Sequence, residues 1–283
     1  MRFLYVSVCV TILSFNFWIQ PIFAHHVVGH GGVTTSSFNP YSSQSRPPET
    51  FLDFNFNVDH LDGGLGYVLT YQFAGEYSVT RRISVGGRIP VLSVREQFLP
   101  HTDGIGDVAI FFKGLVGEWP LYRTFLNMGT EISFPTGSET RGTGTGDVIF
   151  SPYLTVSKGF RPFSILFSVG STLAAADQIR PSIDYGASLI VPVAKGSLPV
   201  DAFLSFQGST ATSSKTFVNG STKAYLKPAV TFHLKPKLLA TLGAKISIID
   251  TLRVKPGIAL SRQSTAPLSD VDVGCVFDIN YSF

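Results

Sequence analysis

Apolar and polar residues alternate along most of this chain from Phe51 onward. Phe51 to Asp59 puts Leu52, Phe54, Phe56 and Val58 on one face and Asp53, Asn55, Asn57 and Asp59 on the other. Ile183, Tyr185, Ala187, Leu189, Val191 and Val193 oppose Asp184, Gly186 and Ser188, and Leu238 to Ile248 repeats the pattern. A period of two is the mark of a β-strand with one apolar and one polar face. Comparable segments start near 65, 83, 105, 122, 147, 162, 197, 222 and 252, and a last one runs from 271 to 283. Most are as long as, or longer than, the roughly 9–11 residues a tilted strand needs to cross a bilayer.

The connections sort into two kinds. Short turns, several of them basic, lie at 80–82, 118–120, 158–162, 194–197 and 235–237. Longer polar stretches lie at 96–104, 135–146, 175–181 and 209–221. Short turns alternating with long loops predict an all-β, transmembrane antiparallel up-and-down β-barrel. The alternation counts thirteen segments, but single-chain bacterial barrels use even numbers. The expectation is therefore about 12 strands, with 10–14 open, and the surplus is sought in 51–59 or 237–262. The closing segment, with Tyr281 and a terminal Phe283, resembles the last strand of outer-membrane barrels, where the terminal aromatic helps the assembly machinery recognise the chain.

The N-terminus agrees. Met1-Arg2, an apolar run from Phe3 to Ile19 and Gln20-Pro21-Ile22-Phe23-Ala24 read as a signal peptide (1–24). Residues 25–49, rich first in His and Gly and then in Ser and Pro, read as a flexible leader, and 50–283 as the barrel. Mean hydropathy is positive (+0.25) and charge is sparse (14% Asp, Glu, Lys and Arg). Past the signal region no apolar run reaches the roughly 20 residues a spanning helix needs. A net charge of +3 gives no argument for a nucleic-acid partner. Beyond the signal region Cys275 is the one cysteine, so no internal disulfide is expected.

Two motifs go further than barrel patterning. One is Asp103-Gly104-Ile105-Gly106-Asp107-Val108. The other is Phe134-Pro135-Thr136-Gly137-Ser138 followed by Gly142-Thr143-Gly144-Thr145-Gly146-Asp147. Together with Arg88-Ile89-Pro90 they resemble an outer-membrane family linked to the "MetA-pathway of phenol degradation". The resemblance is tightest over 83–158. It implies a barrel that moves small, hydrophobic or aromatic compounds. Read physically, the glycines suit a strand rim and the two Asp a hydrogen-bonding role there. Gly142–Gly146 is no phosphate loop, because no Gly-Lys-Ser/Thr and no helix follow.

Turning the polar face inward collects Asp53, Arg88, Lys113, Arg123, Glu131, Asp184, Asp201, Lys227, His233, Lys245, Arg253, Lys255, Asp272 and Asp278, of mixed sign. With Asp107 and Asp147 at the rim, the candidates for contact with a passing solute are Arg88, Asp107, Lys113, Arg123, Glu131, Asp147, Asp184 and Lys245. No Ser, His and acidic residue show a spacing that singles out a catalytic site, so no enzyme and no cofactor are expected. His25, His26 and His30 form a possible Cu, Ni or Zn site, helped by the α-amino group if cleavage follows Ala24. The expected protein is a monomeric outer-membrane channel or transporter. Its partners are outer-membrane lipid, the barrel assembly machinery and a small-molecule solute. A non-conducting structural or ligand-binding barrel is the alternative, as is a barrel whose leader binds metal.

Overall fold

The computed structural model describes residues 46–61, 66–96, 101–138, 141–175, 181–211, 218–219, 222–250, 253–254 and 271–283. The strands are β1 (Phe51–Leu61), β2 (Gly66–Thr80), β3 (Ile83–Glu96), β4 (Thr102–Ile105) and β5 (Val108–Trp119). Next come β6 (Thr124–Phe134), β7 (Ile149–Gly159), β8 (Ser164–Ala174), β9 (Ser182–Ala194) and β10 (Val200–Ala211). The rest are β11 (Val218–Asn219), β12 (Thr222–Lys235), β13 (Leu238–Asp250), β14 (Arg253–Val254) and β15 (Val271–Ser282). Twelve of them pair antiparallel in sequence order and close through β1 on β15, making a twelve-stranded barrel.

The surplus segment was 252–262. Its described residues, Arg253 and Val254, pair with Asn219 and Val218 in a separate two-stranded ribbon. Phe51–Leu61 is a full stave. The expected strand from 105 breaks at Gly106-Asp107. Before that corner, β4 lies antiparallel on Val91–Val94; after it, β5 takes over the wall beside β3.

Each stave carries the expected two faces. Outside lie Phe73, Phe112, Met128, Phe167, Leu189 and Leu242, all well exposed, as lipid-facing residues must be. Aromatic residues gather where the short turns are: Tyr77, Trp119, Tyr122, Phe160, Tyr281 and Phe283. That is one of the two interfacial girdles of a membrane barrel. Inside, glycines make room for rings. A Cβ on Gly86 would sit 2.3 Å from the Phe111 ring, and one on Gly129 2.4 Å from that of Tyr153.

The outward face makes the cost of a charge depend on depth. Leu242→Arg, near mid-stave, should destabilise the barrel by about 2–4 kcal/mol, and Ile83→Arg, at the turn rim, by about 0–1 kcal/mol. Reversible unfolding in guanidinium with phospholipid vesicles measures both.

Candidate functional site

The inner face is polar and largely tied up in pairs. Arg88 on β3 reaches past β5 to Glu131 on β6, both side chains almost wholly buried. Lys113 on β5 reaches past β3 to Glu76 on β2 at 2.6 Å, with neither side chain exposed. Each pair skips one strand because side chains on neighbouring staves at the same level stand side by side, and a long cation spans the gap. On the other side of the barrel Lys245 donates to Asp59 at 3.3 Å, again with one stave, β15, between. Asp184 is buried and accepts from Thr172 at 2.8 Å and from Ser182 at 3.3 Å.

The two glycine motifs meet at the loop rim. The Asp107 carboxylate accepts from the Gly137 N–H at 3.0 Å, the Thr145 N–H at 2.7 Å and the Thr145 hydroxyl at 2.5 Å. Thr136 donates to the Gly106 carbonyl and accepts from the Val108 N–H, both at 2.9 Å. Gly144 lies so close to Asp107 and Gly137 that a Cβ there would meet Gly137 at 2.5 Å. Asp147 is buried at the foot of this clasp, its carbonyl accepting from Thr145 at 3.2 Å. Asp107 therefore holds Gly137 and Thr145, on the two sides of the loop, together.

Arg123 is a correction. It sits in the exposed turn after a 3-10 segment (Pro120–Tyr122), with φ of 47°, and its side chain packs on Gly159. β6 begins only at Thr124 and its buried inward polar residues only at Asn127, so Arg123 matches the period of the strand without belonging to it. His25, His26 and His30 lie outside the described residues.

Arg46 to Glu49 show what the alternation misses. This segment is the end of the expected leader, yet it is hydrogen-bonded to the barrel at the turn rim. The Arg46 carbonyl accepts from Asn127 on β6 at 3.1 Å, while its guanidinium donates to Asn280 on β15 at 3.2 Å. Those two staves are five places apart in the ring of twelve, so one residue reaches across most of the lumen. Pro47 accepts from Lys113 at 3.5 Å, and the Glu49 N–H donates to Glu76 at 3.3 Å. The Glu49 side chain pairs with Arg46 and Ser282. Glu76 was missed because β2 runs seven residues beyond the segment ending at Phe73.

No family model matches the chain, and no curated protein matches it in sequence. Solved structures match it in shape. An outer membrane channel from Pseudomonas putida F1 superposes with a TM-score of 0.56 at 10% identity, covering 90% of this chain and 100% of that one. The NanC porin superposes at 0.51 and 8% identity, covering 82% and 98%. The likeness shows a shared fold, that of bacterial outer-membrane barrels.

The pairing pattern makes two predictions. Glu131→Leu alone should cost about 3–5 kcal/mol by stranding Arg88, and adding Arg88→Met should restore most of it; guanidinium unfolding measures both. Asp107→Ala removes bonds to a charged group, each contributing about 1.5–3 kcal/mol. It should free the loop, so that trypsin cuts after Arg141 faster while the barrel stays intact.

Proposed function

We propose that this chain is an outer-membrane channel for small molecules, with the turn rim in the periplasm and the loop rim outside. The observation that carries this reading is how the lumen is occupied. About eight strands give an interior that side chains alone can fill. Twelve leave more room, and at the turn rim that room is crossed by Arg46–Glu49, a chain segment held by hydrogen bonds that each involve a side chain and not by a strand ladder. A core built only to be solid would be filled by layers of wall side chains. A segment hung across the opening can be shifted without unpicking the wall.

The wall is lined by charges that mostly cancel in pairs, which suits passage of solutes without strong selection for either ion sign. The shape shared with a protein named as a channel and with a porin supports the same reading. So does the resemblance of the glycine motifs to the phenol-pathway family, which favours small solutes with an apolar or aromatic body. No catalytic chemistry is part of this proposal, and a small-molecule solute is its only ligand.

Single-channel recording of the refolded protein in planar bilayers tests it. The native protein should open to a small conductance. Arg46→Ala with Glu49→Ala, which releases the segment from β15, should raise that conductance several-fold. Silence from both, in protein that is demonstrably folded, would overturn the channel in favour of a closed, ligand-binding barrel.

A further inference from the structure

An unbalanced pair of cations lies on the β12–β13 side of the wall, nearer the loop rim than the turn rim. Leu226 pairs with Ile246 and Ala229 with Gly243, so Lys227 falls directly opposite Lys245. Like charges in directly opposed positions disfavour a sheet. Pro228, beside Lys227, has no N–H to give to the ladder, so the backbone does not offset this. Lys245 is accounted for: its Nζ donates to Asp59 at 3.3 Å and stands 4.7 Å from the centre of the Tyr225 ring. Lys227 has no hydrogen bond or ion pair among the described residues. Two ammonium groups share one carboxylate, and a single positive charge is left over at this level.

Next to this spot the wall turns apolar. Asp59 stands opposite Val68, Val68 stands opposite Val94, and these two valines form a buried cluster with Leu92. An unmatched cation on one stave and an apolar patch a few staves away describe a ligand with one negative charge and an apolar body. Lys offers a compact charge with three donors and no fixed fork, which suits a carboxylate arriving from varied directions.

We propose that Lys227 and Lys245 bind the carboxylate of a small organic acid whose apolar part faces Val68, Leu92 and Val94. This deepens the channel reading by naming its substrate class, and the binding itself can be measured without conduction. The probes are benzoate and its neutral analogue benzamide, titrated calorimetrically into the refolded barrel in uncharged detergent at low salt. Lys227→Gln should weaken benzoate by about tenfold or more. Lys227→Arg should stay close to the native affinity. Asp59→Asn, which releases Lys245, should tighten binding, and it keeps the test decisive should Lys227→Gln not fold.

Benzamide binding as well as benzoate, or affinities that none of these variants changes, would overturn the site. Inorganic phosphate displacing benzoate equally well would overturn the carboxylate assignment. Lysine-dependent benzoate binding to a barrel that is silent in bilayers would uphold the site and remove the channel. Steady openings with no benzoate binding would do the reverse.

Discussion

In hydrocarbon a backbone N–H or C=O without a partner costs several kcal/mol, so a sheet can sit there only if its two edges meet. Here they meet along β1 and β15, in register from Phe51 opposite Ser282 to His60 opposite Val273. The seam continues past the strands. The Phe283 N–H donates to the Thr50 carbonyl at 3.0 Å, and the Ser282 N–H to the Lys237 carbonyl at 2.9 Å. The last residues are thereby tied to both neighbouring staves, and the chain leading into β1 is fixed at the turn rim. With Thr50 held there, and its hydroxyl accepting from the Ser78 N–H at 3.1 Å, the preceding residues lie inside the opening. The segment across the lumen thus starts from the closing seam and is held by its own bonds to Asn127, Lys113, Glu76 and Asn280.

Closure also dictates how the inside is built. Twelve staves turn their polar faces inward, and low local polarity makes every unpaired charge there expensive. The chain answers with ion pairs that reach over one stave, Arg88 to Glu131 and Lys113 to Glu76, both on the β2–β6 arc. The same arc holds the aromatic rings laid over Gly86 and Gly129 and supports Arg46 and Pro47. It is the side of the barrel tied by charge pairs. The β9–β13 arc relies more on small hydroxyl pairs, Ser188 with Ser205 at 2.7 Å and Thr231 with Thr241 at 2.8 Å, beside one histidine–carboxylate contact, His233 with Asp201 at 2.8 Å. That leaves its lysines without the dense carboxylate partnering found across the lumen.

Alternation made the staves legible because a lipid-facing and a lumen-facing residue must alternate wherever a strand crosses the bilayer. It erred where that constraint is absent. Residues 252–262 contain enough apolar residues to imitate a stave, but Arg253 and Val254 pair in the ribbon with Val218 and Asn219, off the barrel wall. Arg123 continued the period of β6 in sequence while its backbone had already turned left-handed. The lumen charges could be named from the sequence, yet their partners could not. Arg88 finds Glu131, 43 positions on, because the register of three staves places them together. The Asp107 clasp is half legible: the sequence offers the glycines and the Asp as rim features, but that one motif holds the other is a fact of space.

The two special features of the lumen sit at different depths, and the order matters for a solute coming from the loop rim. Asp59 lies two residues from the loop end of β1, and Lys227 and Lys245 each lie five residues from the loop ends of their staves. Arg46 makes its contacts at Asn280 and Ser282, at the opposite end of β15. An acid would therefore meet its countercharge before the obstruction. Binding at the proposed site would place a carboxylate in the lumen while the Arg46 guanidinium is still committed to Asn280, Ser282 and Glu49. On the proposed reading, a second anion, or the same one moving on, would compete with Glu49 for that guanidinium, and Glu49 helps to tie the segment to Ser282. The pairing that closes the opening is itself a cation–carboxylate contact, so a solute carrying a carboxylate has the chemistry needed to loosen it.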